Sequence, residues 1–291
     1  MLDDRRESSF QLTADHISLR QTVFLQPGTQ LHTKDLSVCF SGFIINAHTG
    51  ITVAHGLCPG DNIFINHRGT LLAIGQCCKT FLSLRHSPDD KITADLALLK
   101  IHCDFGPNFT PFMTNIVKYE HKSEKRCLSI KIYRETVIER TDVMIQVRNG
   151  EFRFGYIGGS GSFSCRPSFC NCKCTPQLDG CPCMTYNDWC FNMLEIYSDA
   201  GESTAMTDAG DSGALVMSRP IPGINYVHVY GIVIGQRNEE GKMTTICNQL
   251  HAVIEHMQKN ERMYAEADEL DFVDNKYQFS SVCECRPRCY I

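Results

Sequence analysis

Gly210-Asp211-Ser212-Gly213 is the segment whose residue types best suit covalent chemistry. A serine hydroxyl is a weak nucleophile until a neighbouring base takes its proton. Acyl transfer also needs N–H groups aimed at the oxygen that becomes negative. Glycines beside a serine allow the tight backbone that turns such amides inward, and Ala214-Leu215-Val216 then enters an apolar strand. The same four residues also suit an ordinary turn, since Gly, Asp and Ser all favour turns.

Cysteine is the second reactive type in excess. The chain has 291 residues and 17 cysteines, an odd number, so intramolecular disulfides cannot use them all. Seven of them (Cys165, Cys170, Cys172, Cys174, Cys181, Cys183 and Cys190) fall within 26 residues, and Cys283, Cys285 and Cys289 form a smaller cluster in the tail. Such a polar, Pro-containing stretch needs cross-links to hold a shape. Disulfides are one solution. Zinc held as a thiolate site by the Cys-x-Cys pairs is the other, because tetrahedral zinc takes four such ligands. The first 16 residues, MLDDRRESSFQLTADH, have no apolar core of the kind a secretory signal carries. Cysteine density points to an extracellular setting, and the polar start points the other way, so the sequence leaves the compartment open.

The elements that must position Ser212 read as strands. Leu36–Ile45, Ile51–His55, Asn62–Asn66, Leu71–Cys78, Thr80–His86 and Ala94–Ile101 are short runs rich in β-branched and aromatic residues, separated by turn formers. A Pro- and Asn-containing stretch, 106–115, reads as a link. A second β-rich half follows, ending near Val227–Gly235. Leu250, Val253, Ile254 and Met257 then recur at i, i+3, i+4 and i+7, one apolar face of a helix. Residues 261–274 are mostly charged and read as solvated. Many strands without intervening helices indicate antiparallel barrels or sandwiches. Gly158-Gly159-Ser160-Gly161 lacks the Lys-Ser/Thr of a phosphate loop and reads as a turn.

Against this β framework, the chain resembles the chymotrypsin/trypsin-like serine peptidases. Gly210–Val216 is similar to that family's GDSGGPV motif, Thr52-Val53-Ala54-His55 to TAAH, and Asp95–Leu99 to DIALL. The order His, Asp, Ser is that of the family, whereas other triad folds use other orders. Gly42–Ile45 resembles the GGSLI hairpin and Gly231-Ile232-Val233 the GIV strand. The likeness implies an all-β fold of two six-stranded antiparallel barrels with a C-terminal helix. It divides the chain into an extension (1–35), a first barrel (36–115), a second barrel (116–246) interrupted by the Cys-rich insertion (162–192), and a helix and tail (247–291). It implies that Ser212 attacks the scissile carbonyl, His55 is the general base, Asp95 orients it, and the N–H groups of Gly210 and Ser212 form the oxyanion hole.

Several positions depart from the family pattern. No Arg/Lys-Ile-Val-Gly-Gly activation site lies in the N-terminal region, so Asp211 needs a partner other than a freshly cut N-terminus. The pocket-base position, six before the serine, is Met206, which implies an apolar or shallow pocket, with Asp208 close by. Ile234-Gly235-Gln236 stands where Ser-Trp-Gly is common, and Ile234 would offer main-chain groups to an extended substrate. A Cys39–Cys58 bridge is implied by the family's disulfide there; two buried thiols are the alternative.

Bulk properties narrow the partners. Charged residues are 21% of the chain and the net charge is −5, which disfavours a nucleic-acid surface. No stretch is apolar over the roughly 18–20 residues a membrane helix requires. The reading is a serine endopeptidase acting on peptide or protein substrates and needing no cofactor, with zinc at the insertion as the one exception. Its rivals are a non-catalytic binding module of the same fold and a zinc-stabilised interaction domain whose GDSG is a turn.

Overall fold

In the computed structural model, the described residues are 20–34, 36–82, 94–148, 150–164, 189–260 and 270–273. The tail cysteines and most of the Cys-rich insertion lie outside them, so the choice between disulfides and zinc there does too. The strands are, in order, β1 (Gln21–Leu25), β2 (Gln30–His32), β3 (Ser37–Cys39), β4 (Gly42–Phe43), β5 (Thr49–Thr52), β6 (Asn62–His67), β7 (Thr70–Leu82), β8 (Asp95–Ile101), β9 (Phe109–Met113), β10 (Ile116–His121), β11 (Glu124–Ile132), β12 (Asp142–Gln146), β13 (Phe152–Ser164), β14 (Trp189–Ser198), β15 (Leu215–Ser218), β16 (Tyr226–Glu239) and β17 (Lys242–Gln249). One helix, α1 (Leu250–Asn260), follows them.

The second half closes on itself. Strands run β16-β15-β12-β13-β14-β17, and β17 returns to β16, giving a six-strand barrel with the β10-β11 hairpin attached along β16. The first half is a curled sheet, β3-β2-β6-β7-β8-β5-β4. Its two ends, β3 and β4, are consecutive pieces of one bent segment, so the chain itself brings the edges round. The fold is thus the expected all-β pair with a C-terminal helix, but the first unit is a curled, seven-stranded half-barrel with no ladder between its ends among the described residues, not a closed six-stranded barrel.

Four details differ from the sequence reading. The sequence reads 71–78 and 80–86 as separate strands; 70–82 form one strand, with an irregular register between Cys77 and Lys79, and 83–86 lie outside the described residues. The 106–115 link contains β9, which pairs in parallel with β1. β2, assigned to an extension, pairs with β3 and β6 inside the first sheet. Gly158–Gly161 is strand, not turn, and pairs along β14.

The α1 apolar face is as expected: Leu250, Val253, Ile254 and Met257 are all buried. Burying a side chain of this size contributes about 1.5–3 kcal/mol, which suffices to hold an 11-residue helix too short to be stable alone. These four residues share one apolar cluster with Phe40, Phe43 and Leu99 of the first half and Leu215, Met217 and Val229 of the second. Leu270 and Phe272 belong to that cluster as well, and Val273 packs against it. The sequence reads them as solvated, yet Leu270 and Phe272 are buried and Phe272 bridges to Ile44.

Candidate active site

The site is built where the two halves meet. β5 and β8 are antiparallel neighbours with Thr52 opposite Ala97. The chain leaving β5 therefore passes the start of β8, which sets His55 beside Asp95. Asp95 Oδ1 accepts the N–H groups of Ala54 (2.7 Å) and His55 (2.8 Å), and Oδ2 accepts the Nδ1–H of His55 at 2.5 Å. Three donors on one buried carboxylate fix both its orientation and that of the ring. Burial alone would lower the pKa of His55, but the charge of Asp95 and their hydrogen bond outweigh it and hold the imidazole above 6.5. Burial would likewise raise Asp95. The His55 charge, the His55 ring bond and the two backbone donors prevail and keep it below its usual value. With Nδ1–H committed to Asp95, Nε2 is left as the basic nitrogen.

Ser212 comes from the other half, and its loop is stitched onto the same end of the first sheet. The N–H of Cys39 donates to the Ser212 carbonyl (2.6 Å), and the Ser41 hydroxyl donates to the Gly213 carbonyl (2.6 Å). The Thr52 hydroxyl, three residues before His55, donates to the Cys39 carbonyl (2.7 Å). Gly213 is required at this seam. It has φ +94°, and a Cβ there would run into the Cys39 carbonyl oxygen and lie 2.7 Å from Thr52 Oγ1.

The loop's remaining groups are held by Asp211, which is buried. Asp211 Oδ1 accepts the N–H of Arg148 (3.0 Å) and Oδ2 that of Asp208 (2.7 Å), while the Arg148 guanidinium donates to the Ala209 carbonyl (2.6 Å). The partner that the sequence left open for Asp211 is thus the turn after β12. The N–H groups of Asp211, Gly213 and Ala214 are all bonded to carbonyls. Among the described residues, no hydrogen bond occupies the N–H of Gly210 or Ser212. Gly210, also at φ +94°, turns this part of the backbone.

The β16–β17 register slips between Val233 and Gly235, leaving Ile234 as a bulge residue. Its carbonyl is thereby out of the ladder and takes a long contact from the Ser212 hydroxyl, 3.5 Å. Ile234 therefore contributes main chain to the site, while its side chain packs on Met193 and Ile246.

Two expected substrate-binding residues are elsewhere. Met206 is 1% exposed and sits in the second barrel's core, against Gly155. Asp208 is exposed and paired with Arg153 at 2.7 Å. It lines a surface cavity of about 680 Å³ with Phe152, Phe154, Asp199 and Thr204, and none of His55, Asp95 and Ser212 lines that cavity. At the start of the Ser212 loop, Thr207 meets Gln236 of β16 and Thr245 of β17 (Thr207 Oγ1 to Thr245 Oγ1, 3.2 Å). Uncharged side chains give no signal in a sequence until the strand register is known.

Cys39 and Cys58 do not bridge. Cys39 is buried, with its Sγ near the Gly210 carbonyl (3.7 Å), and Cys58 is exposed in the turn before β6. Burial pushes the Cys39 thiol up to about 12. Cys39, Cys58, Cys77, Cys78, Cys127 and Cys247 are free thiols. No cluster among the described residues could hold a metal ion.

No protein-family model matches the chain, and no curated protein matches it in sequence. Solved structures do match. A glutamic-acid-specific serine protease, described as using a histidine triad in substrate binding, has a TM-score of 0.50 and 11% identity, covering 86% of this chain and 100% of its own. Nocardiopsis protease has 14% identity and a TM-score of 0.49, covering 80% and 96%. Thermobifida fusca protease A has 10% identity and a TM-score of 0.48, covering 81% and 96%. At such identities the likeness speaks for fold: the chain has the fold of the chymotrypsin-like serine proteases.

Proposed function

We propose that this chain is a serine endopeptidase that cleaves peptides or proteins through an acyl-enzyme, with Ser212 as nucleophile, His55 as general base and Asp95 as its orienting partner. The observation that carries this is the constellation at the seam. A carboxylate with three donors holds an imidazole, and the opposing loop presents a serine beside two N–H groups that no described residue occupies. A structural Asp-His pair has no need of open amides nearby, and an ordinary Gly-Asp-Ser turn has no need of stitches to a neighbouring half.

The chemistry follows from those groups. His55 Nε2 takes the Ser212 proton as Oγ attacks the carbonyl, and the imidazolium is stabilised by Asp95. The N–H groups of Gly210 and Ser212 receive the developing oxyanion. The imidazolium then protonates the leaving amine, and water repeats the sequence on the ester. Since Asp211 is held by backbone donors of the chain itself, the loop needs no newly cut N-terminus to take this form.

A fluorophosphonate probe tests the proposal. We expect covalent labelling of the folded protein at Ser212, and its loss in Ser212→Ala together with a fall in kcat of about 10³-fold or more. A well-folded protein that takes no label would instead be a binding module on this fold.

A further inference from the structure

Residues 270–273 are a strand of neither sheet and meet the first one through a single isolated bridge, Phe272 to Ile44. Each of the four is nonetheless held by a particular group. The Arg134 guanidinium donates to the Leu270 carbonyl at 2.7 Å. Asp271 Oδ1 accepts the N–H of Ile132 at 3.1 Å and that of Phe272 at 2.7 Å. Val273 gives its N–H to the Phe43 carbonyl and takes the Asn115 amide on its own carbonyl. The Phe272 ring enters a notch that exists because residue 42 is glycine: a Cβ there would lie 2.9 Å from Phe272 Cε1. Alternate side chains, Leu270 and Phe272, are buried. A groove reads an extended peptide in this way, with main-chain hydrogen bonds to hold it and pockets for alternate side chains to select it.

The walls of this groove come from both halves. Gly42 and Phe43 form β4 of the first sheet. Ile132 ends β11, which is tied to the barrel through its pairing with Val229, and Arg134 follows two residues on. Two residues before Phe43, the Ser41 hydroxyl holds the Gly213 carbonyl, and the Cys39 N–H holds that of Ser212. The 270–273 strap therefore crosses between the halves on the segment that stitches the nucleophile loop. On the reading that Ser212 is the nucleophile, we infer that this groove is a peptide-binding site in its own right, selective for an extended apolar-Asp-Phe-apolar sequence, and that its occupancy by 270–273 positions Ser212 against His55. Without the strap, β4 and the end of β11 lose the groups that join them. A shift of about 1 Å at a reacting group can cost about 100-fold in rate. Because the strap is tethered, its effective concentration at the groove is about millimolar. A free peptide of the same sequence is therefore excluded until the strap is weakened.

The test uses the full chain. Phe272→Ala empties the notch, and Asp271→Ala replaces it if that variant does not fold. A fluorescein-labelled Glu-Leu-Asp-Phe-Val-Asp peptide, the sequence of 269–274, is titrated into wild type and variant by anisotropy. The fluorophosphonate labelling rate is followed in parallel, where circular dichroism shows both proteins folded. The variant should bind the peptide with a Kd below about 1 mM, and the wild type at least about tenfold more weakly. Labelling of the folded variant should be at least about tenfold slower than wild type. It should recover with unlabelled peptide, but not with the same peptide carrying alanine for phenylalanine. A folded variant that binds no peptide would overturn the groove, and equal binding to both proteins would place the peptide elsewhere and do the same. Binding with no loss or recovery of labelling would overturn the positioning role. A wild type that takes no label would overturn the peptidase reading and the positioning role with it, while the anisotropy decides the groove independently.

Discussion

At the residue scale, the site depends on how one carboxylate is held. Asp95 receives two backbone donors and the His55 ring, and the ring's pKa is raised in consequence. The sign for catalysis follows. His55 acts as a base only when Nε2 is unprotonated, so activity should be lost as pH falls through a value above the ordinary 6.5. In Asp95→Asn the charge that raises the imidazole is gone and the burial that lowers it remains. We therefore expect the acid limb of kcat/KM to move to lower pH and kcat to fall by about 10⁴-fold, as when a triad imidazole loses its orienting carboxylate. A pH–rate profile of both proteins checks this, and an unmoved acid limb would show that His55 is not the titrating base. The motifs around His55, Asp95 and Ser212 single out the proposed triad in the sequence, because each is embedded in a short patterned run. Met206 is the converse case: counting back from Ser212 gives a position along the chain but not the face of the backbone on which the side chain falls. The structure turns Met206 into the core.

At the element scale, the decisive object is the 207–214 loop and its stitches. Its shape is imposed from outside, by Arg148 on one flank and by Cys39, Ser41 and Thr52 on the other. Gly213 is the tightest of these contacts. Gly213→Ala has to push the loop off the Cys39 carbonyl while adopting a positive φ, which should cost about 2–4 kcal/mol. Even in the fraction that folds, Ser212 would be displaced. Thermal melting should show a lowered Tm, and labelling of the folded fraction at low temperature should be slowed. Labelling at the wild-type rate would mean that the seam does not position Ser212. Alternating apolar patterns revealed most of the strands. They did not reveal β1 and β2, which lie beside Pro27 and Gly28 and pair with distant segments, because local periodicity carries no information about long-range partners. The Ile234 bulge was hidden for the same reason, since it exists only as a mismatch between two strands.

At the scale of the whole molecule, the two halves are not independent units joined at a catalytic seam. Residues from both, from α1 and from 270–273 belong to one apolar cluster. The 270–273 segment lies as a strap against the first sheet. Phe272 bridges to Ile44 and packs over Gly42, and Val273 N–H donates to the Phe43 carbonyl at 3.1 Å. Asn115 clamps the strap from the opposite side, donating to the carbonyls of Phe43 (2.9 Å) and Val273 (3.1 Å) while accepting the Phe43 N–H (2.7 Å). Four residues in a charged stretch are too few to show an apolar face, which is why the sequence concealed them. Phe272→Ala empties a site that the surrounding backbone cannot fill, so it should cost about 3–5 kcal/mol. Because the strapped segment Gly42–Phe43 is continuous with Cys39 and Ser41, which hold the Ser212 loop, the loss should be felt in both halves. Urea unfolding followed by tyrosine fluorescence and by fluorophosphonate labelling should therefore give one transition, moved to lower denaturant and coincident by the two probes. Two separate transitions, with labelling lost at a different midpoint, would show instead that the strap stabilises the first half alone and that the site survives without it.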